Sequence, residues 1–145
     1  MTTIVYDHKN KQIAVDGRCC ADGMIKSDSD IKYLFTCDQA WFFCGQVSDH
    51  LYLLDAFSGK DIQECESNAL LVIDKKVYLC GVDKGKLWKE PINYNSGIGS
   101  GHRFAISALD FGKSAKEAVE YAMTRDLYTG GKITVYDVEA GNFIE

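Results

Sequence analysis

The chain carries one proline, Pro91, in 145 residues, and its thirteen glycines follow no repeat, which excludes collagen-like and low-complexity architectures. No uninterrupted apolar run approaches the ~20 residues that a bilayer-spanning helix requires, so no membrane partner is expected. There is no basic excess. Sixteen Lys and Arg face twenty-one Asp and Glu, a net charge of −5 with pI near 5.2, and this disfavours a mainly electrostatic nucleic-acid binder. The opening Met-Thr-Thr-Ile-Val-Tyr-Asp lacks the basic-then-apolar layout of a secretion signal, and a cytoplasmic location is expected. The six cysteines (19, 20, 37, 44, 65 and 80) form no CxxC and no metal-ligand spacing with the three histidines. They read as reduced thiols, several of them apolar filler, with neither disulfide nor zinc expected. Cys19-Cys20 is the least ordinary pair, because neighbours on a strand face opposite ways and one of the two can line a site.

What is present is an average globular composition, 46% hydrophobic and 26% charged, in a chain long enough to bury roughly 68–70% of its extended surface. No linker or composition break divides it, so one domain over 1–145 is expected. Strand patterns run over 2–6 and 12–18, then over 31–36 and 40–44, and the nearly all-apolar Ala40–Cys44 suggests a strand covered on both faces. Val47, Leu51 and Leu54 recur at helical spacing, predicting a helix over 47–57. Residues 58–68 are polar and unassigned. Hairpin strands 69–73 and 77–82 flank Asp74-Lys75-Lys76, and a short strand ends near Pro91. Phe104, Ala108 and Phe111 predict one face of a helix ended by Gly112. Ser114 and Glu117 form a capping box opening a second helix, whose stripe is Ala115, Ala118, Val119, Ala122 and Met123. A strand over 132–137 closes an α+β chain.

Two glycine patches carry little weight for phosphate binding. In Gly97-Ile98-Gly99-Ser100-Gly101 the third glycine of the dinucleotide pattern is displaced by His102. Gly112-Lys113-Ser114 lacks the first glycine of a P-loop, which falls on Ser107. Thr2 carries more. Removal of Met1 would leave one residue with both a hydroxyl and a free α-amine, whose reference pKa of about 7.7–8.0 lets it take the hydroxyl's proton near neutral pH. Alone, a second-position threonine means nothing; it needs supporting groups.

Those groups come in a recognisable order. Thr2-Thr3-Ile4-Val5 followed by Val15-Asp16-Gly17-Arg18 resembles the opening of proteasome β-subunits and their simple bacterial relatives. Lys32 follows Asp16 by the family's interval of sixteen residues. Phe42-Phe43-Cys44-Gly45 matches the apolar run and glycine before the first helix, and Gly99-Ser100-Gly101 matches the opening of a later one. Arg125-Asp126-Leu127-Tyr128-Thr129-Gly130-Gly131 is similar to the family's arginine-aspartate-x-tyrosine-serine-glycine-glycine block. The resemblance implies a four-layer αββα sandwich of two antiparallel sheets, the N-terminal-nucleophile hydrolase fold, with a shortened helical layer after Gly45. It implies a threonine-type endopeptidase working through an acyl-enzyme on Thr2. Lys32 favours the alkoxide and lowers the α-amine's pKa, Asp16 pairs with Lys32, and Ser100, Asp126 and Thr129 hold the freed N-terminus. The Gly45 amide faces the oxyanion, a donor type worth roughly 2.7–4 kcal/mol of barrier. Substrate contacts fall on Cys19, Cys20, Asp30, Phe43, Val47 and Leu51, a mostly apolar pocket with one acidic wall suited to apolar or basic residues. An extended peptide would lie between the Cys20 region and Gly45–Val47.

The implied partners are unfolded or peptide substrates, further copies of the chain in a ring, and an ATPase unfoldase. No cofactor is required, and the resemblance leaves open a structural sodium or magnesium ion near the carbonyls of Asp126 to Thr129. Singly, Asp16-Gly17 reads as a strand-end turn and Lys32 as an ordinary surface lysine; jointly and in order they favour the peptidase. The alternatives are an inactive scaffold of the same fold and an amidase for small amides.

Overall fold

The computed structural model describes residues 2–145, so the removal of Met1 concerns a residue outside the described ones. The strands β1 (Thr3–Asp7), β2 (Gln12–Val15), β3 (Cys19–Ala21), β4 (Met24–Ser27), β5 (Tyr33–Phe35) and β6 (Gln39–Gly45) come first. A 3-10 turn at Val47–Asp49 leads into α1 (His50–Phe57), followed by β7 (Ser67–Ile73), β8 (Lys76–Asp83), β9 (Lys86–Pro91) and β10 (Ser96–Gly99). The chain ends with α2 (His102–Asp110), α3 (Ala115–Met123), β11 (Thr134–Asp137) and β12 (Asn142–Phe143).

Two antiparallel five-stranded sheets form, in the orders β10-β1-β2-β11-β12 and β5-β6-β7-β8-β9, with β3-β4 a separate hairpin. Side chains alternate along each strand, and the alternation builds three apolar layers. Ile4, Tyr6, Ile13 and Val15 of the first sheet meet Ala40, Phe42, Leu70 and Val72 of the second in the middle layer. Val5, Ala14 and Val135 turn outward onto the alanine faces of α2 and α3, while Trp41, Phe43, Ala69 and Leu71 turn outward onto Leu53 of α1. The result is the expected αββα order. Ala40 to Cys44 is buried on both faces, as its unbroken apolar run requires. Pro91 ends the edge strand β9, where a missing N–H costs no ladder bond.

Several expectations are corrected. The hairpin β3-β4 and the strand β10 lie where no strand was read, because β3 has three residues and β10 is half glycine. β2 ends at Val15, before Asp16, and β5 is confined to 33–35. α2 buries Ala105, Ala108 and Leu109, leaving Phe104 partly exposed and Phe111 89% exposed. Small residues let α2 approach the sheet closely, so the alanine face wins over the phenylalanine stripe. The α-helix starts at His50, and the 3-10 turn before it changes the phase: Leu53 and Ala56 face inward while Val47 and Leu51 are 65% and 66% exposed. Residues 58–66 hold no helix, which agrees with a shortened helical layer.

Candidate active site

Three strand ends deliver the polar groups to one point. Thr2 lies just ahead of β1, Asp16 just past β2 and Lys32 just ahead of β5. Backbone bonds hold these ends together: the Asp16 amide donates to the Thr3 carbonyl at 3.2 Å, and the Phe43 amide donates to the Lys32 carbonyl at 2.8 Å. Asp16 and Lys32 side chains are 0% and 6% exposed.

Every donor of the Lys32 ammonium is used. It donates to Thr2 Oγ1, to Asp16 Oδ1 at 2.7 Å and to the Arg18 carbonyl at 2.6 Å. The Thr2 hydroxyl in turn donates to Asp16 Oδ1. Asp16 also accepts from the Thr3 amide at 3.0 Å and, through Oδ2, from the Gly130 amide at 3.0 Å. A buried ion pair is tolerated when its remaining hydrogen-bonding capacity is satisfied in this way.

A second shell of hydroxyls surrounds Asp126. Its Oδ2 accepts from Ser100 Oγ at 2.5 Å and from Thr129 Oγ1 at 2.6 Å, and its Oδ1 accepts from the Tyr128 amide at 3.2 Å. With the Thr129 proton committed to Asp126, the buried Thr3 hydroxyl must donate to Thr129 Oγ1, at 2.6 Å. The single Ser100 proton goes to Asp126 likewise, so its 3.4 Å approach to the Thr2 carbonyl is the weaker contact. Ser100, Asp126 and Thr129 therefore meet beside Thr2, where the resemblance set them.

Thr2 and Lys32 open onto a cleft of about 570 Å³. Cys19, Cys20, Asp30, Phe43, Gly45 and Val47 line it. Leu51 does not: it stands two residues from the inward-facing Leu53, roughly 200° around the helix. Gly45 has φ +94, and a Cβ there would collide with the Glu66 carbonyl.

Three features were missed. Thr3 links both shells, a role hidden because a buried threonine in a strand is ordinary. Arg18 forms a bidentate pair with Asp28, at 2.8 and 3.2 Å, and also donates to the Leu127 carbonyl at 3.1 Å. This bond raises the Arg18 pKa and holds the Asp28 carboxyl below its usual range. It ties the β4–β5 loop to the 125–131 segment across Gly17, where a Cβ would lie 2.7 Å from the Asp28 carbonyl. His50 also lines the cleft, stacked on Phe43 with centroids 4.7 Å apart and planes at 12°. Its Nε2 is buried without a hydrogen-bond partner, and desolvation lowers its pKa against the opposing charges of Asp30 and Asp49.

No protein-family model and no curated protein sequence matches this chain. Among solved structures, eukaryotic HslV from Trypanosoma brucei superposes with a TM-score of 0.71, at 17% identity, over 92% of this chain and 97% of that one. BPH from Thiobacillus denitrificans in complex with epoxomicin gives 0.71 at 15% identity, over 93% and 97%, and a second structure of Thiobacillus denitrificans BPH gives 0.68 at 15%, over 93% and 95%. At these identities the likeness is one of fold. The chain has the proteasome-type N-terminal-nucleophile fold, shared nearly end to end with these structures.

Proposed function

We propose that the chain is a threonine-type N-terminal-nucleophile peptidase. The observation that carries this reading is the Lys32 ammonium, bonded at once to Thr2 Oγ1, Asp16 and the Arg18 carbonyl at the floor of an open cleft. A largely buried ammonium with no spare donor is aimed at one hydroxyl oxygen, and a negative charge developing there gains most from it.

In this mechanism, cleavage after Met1 frees the Thr2 amine. Thr2 Oγ1 attacks the peptide carbonyl as the amine takes its proton, and Lys32 stabilises the alkoxide character that builds on the oxygen. The Gly45 amide faces the oxyanion. Collapse of the tetrahedral species passes the proton to the leaving amine and leaves an ester on Thr2, which water then hydrolyses. Asp16 orients Lys32, and the Ser100, Asp126 and Thr129 shell fixes the Thr2 backbone. The extended substrate lies between the β3 strand and Gly45–Val47, its side chain in the pocket of Cys19, Asp30, Phe43 and Val47. We assign no metal to the site. The carbonyl of Leu127 accepts from the Arg18 guanidinium, whose charge disfavours a cation at that oxygen. Copies of the chain assembled as a chamber, fed by an ATPase unfoldase in the cytoplasm, complete the reading.

The test is intact mass of the N-terminus combined with turnover of fluorogenic peptides. Processed wild type cleaves them, and T2A loses roughly a thousandfold or more with unchanged circular dichroism. Undiminished turnover in T2A overturns the proposal.

A further inference from the structure

The six cysteines are chemically unequal. Cys44 and Cys80 are buried, and desolvation pushes their thiols up to about 11 and about 12. Cys65 donates its S–H to the carbonyls of Asp49 and Ser67, at 3.5 and 3.8 Å, and is also pushed up by burial. Cys37 is exposed in the β5–β6 turn. Cys19 and Cys20 differ from all four, since they are adjacent, half-buried and both line the cleft that holds Thr2.

Strict alternation along β3 would send two neighbouring side chains to opposite faces. The hairpin register breaks there: Cys19 pairs with Ser27 and Cys20 with Ile25, so Lys26 is the extra residue of a bulge. The bulge bends β4, the strand with the extra residue, while both β3 cysteines border the cleft. It brings Lys26 to the cleft wall, where Arg18 and Lys32 are already paired with Asp28 and Asp16. The Lys26 ammonium attracts an anionic reagent to the cleft. Cys19 further follows the Arg18 carbonyl that anchors Lys32, so a group attached to its sulfur would crowd both the cleft and that anchor.

We propose that Cys19-Cys20 is a reversible S-thiolation site that shuts the cleft, with a low-molecular-weight anionic disulfide as co-reactant. The thiolate of either cysteine attacks one sulfur of that disulfide. A protein–reagent S–S bond forms, the reagent's own S–S bond breaks, and the electron pair leaves with its second sulfur as a thiolate, which takes up the proton the cysteine lost. The neighbouring cysteine does not readily displace the adduct. Consecutive Cα atoms across a trans peptide lie about 3.8 Å apart, short of the roughly 4.4–6.8 Å that an unstrained disulfide spans. The adduct therefore stays until an external thiol removes it, which makes occupancy follow the surrounding thiol–disulfide balance.

The functional consequence rests on the peptidase reading; the thiol chemistry does not. Reduced full-length protein is treated with glutathione disulfide, and peptide mapping by mass spectrometry locates the adduct while turnover and the anisotropy of a bound fluorescent peptide are followed. The expected result is an adduct on the Cys19-Cys20 peptide, loss of turnover and of peptide binding in the modified fraction, and recovery with dithiothreitol. C37S responds as wild type does. In C19S/C20S the ratio of treated to untreated turnover stays near unity, whatever its untreated rate. Adducts confined to Cys37, or a full Cys19-Cys20 adduct with peptide binding and turnover intact, would overturn the proposal. If untreated protein binds peptide but never cleaves it, the peptidase reading fails alone, and mapping with the binding arm still decides the thiol site.

Discussion

The first sheet is roofed by two helices, α2 and α3, which meet it through Ala105, Ala108, Ala115, Ala118 and Ala122. The second sheet carries only the eight-residue α1 and a helix-free segment over 58–66, and around α1 it leaves Val47, Leu51 and Tyr52 exposed. Small residues packed at short range tolerate little change in volume, whereas a short helix with one fully buried leucine leaves its surroundings free to vary. The functional groups divide along the same line. Thr2, Thr3 and Asp16 hang from the well-covered sheet, while Phe43, Gly45, Val47 and His50 belong to the open one. Chemistry that needs fixed geometry sits on the rigid half, and the surface that would meet a variable substrate sits on the loose half. Lys32 joins them, entering from the second sheet to bond Thr2 and Asp16 of the first.

The largest expected effect is at that joint. K32A strands the buried Asp16 carboxylate and should cost about 3–5 kcal/mol by urea denaturation, together with all measurable peptide turnover. A variant as stable as wild type would mean the halves are not tied there. Next comes a direct contrast between the halves. A122L overpacks the alanine face and is expected to lose about 1–3 kcal/mol, while L51A on the exposed face of α1 should stay within about 0.5 kcal/mol; thermal melts of both compare the two sides, and equal losses would dissolve the distinction.

The smallest effect tests the loose half by pH. Burial lowers the folded-state pKa of His50, so the unfolded chain, with a value near 6.5, binds the proton first as pH falls. Stability contributed by the neutral ring is complete above about 6.5 and declines below it until the folded-state value is reached. Wild type should thus lose stability relative to H50Q on going from about pH 7 to pH 5, measured by denaturation across that range; parallel curves would show that the ring is not desolvated as described.

Much of this was legible in local pattern. The capping box at Ser114 and Glu117 forms both reciprocal bonds, the Asp74-Lys75 turn takes two positive φ values between the predicted strands, and the unbroken run Ala40–Cys44 is buried throughout. The readings that failed did so for different local reasons. Phe104 and Phe111 were ranked by hydrophobicity, but close helix–sheet approach selected the alanine face instead, and Leu51 was turned outward by the 3-10 turn ahead of α1. The β3-β4 hairpin escaped because a three-residue strand with a bulge has no periodicity to detect.

Residue order alone determined which groups were present and how they were spaced: Thr2 at the second position, Asp16 sixteen residues ahead of Lys32, hydroxyls at Ser100 and Thr129; their place at strand ends came from the fold. The order was silent on Thr3 as the link between Asp16 and Thr129, on the Arg18–Asp28 clasp, on His50 against Phe43, and on the β4 bulge opposite the two cleft-lining thiols. Thr3 meets Thr129 across 126 residues, and the others close over turns and a bulge that carry no periodic signal. Hydrophobic periodicity is a property of neighbours and can be read from them, but the partner of a buried polar group is whichever strand end the packed sheets bring within 3 Å or so, and only the closed sandwich makes that choice.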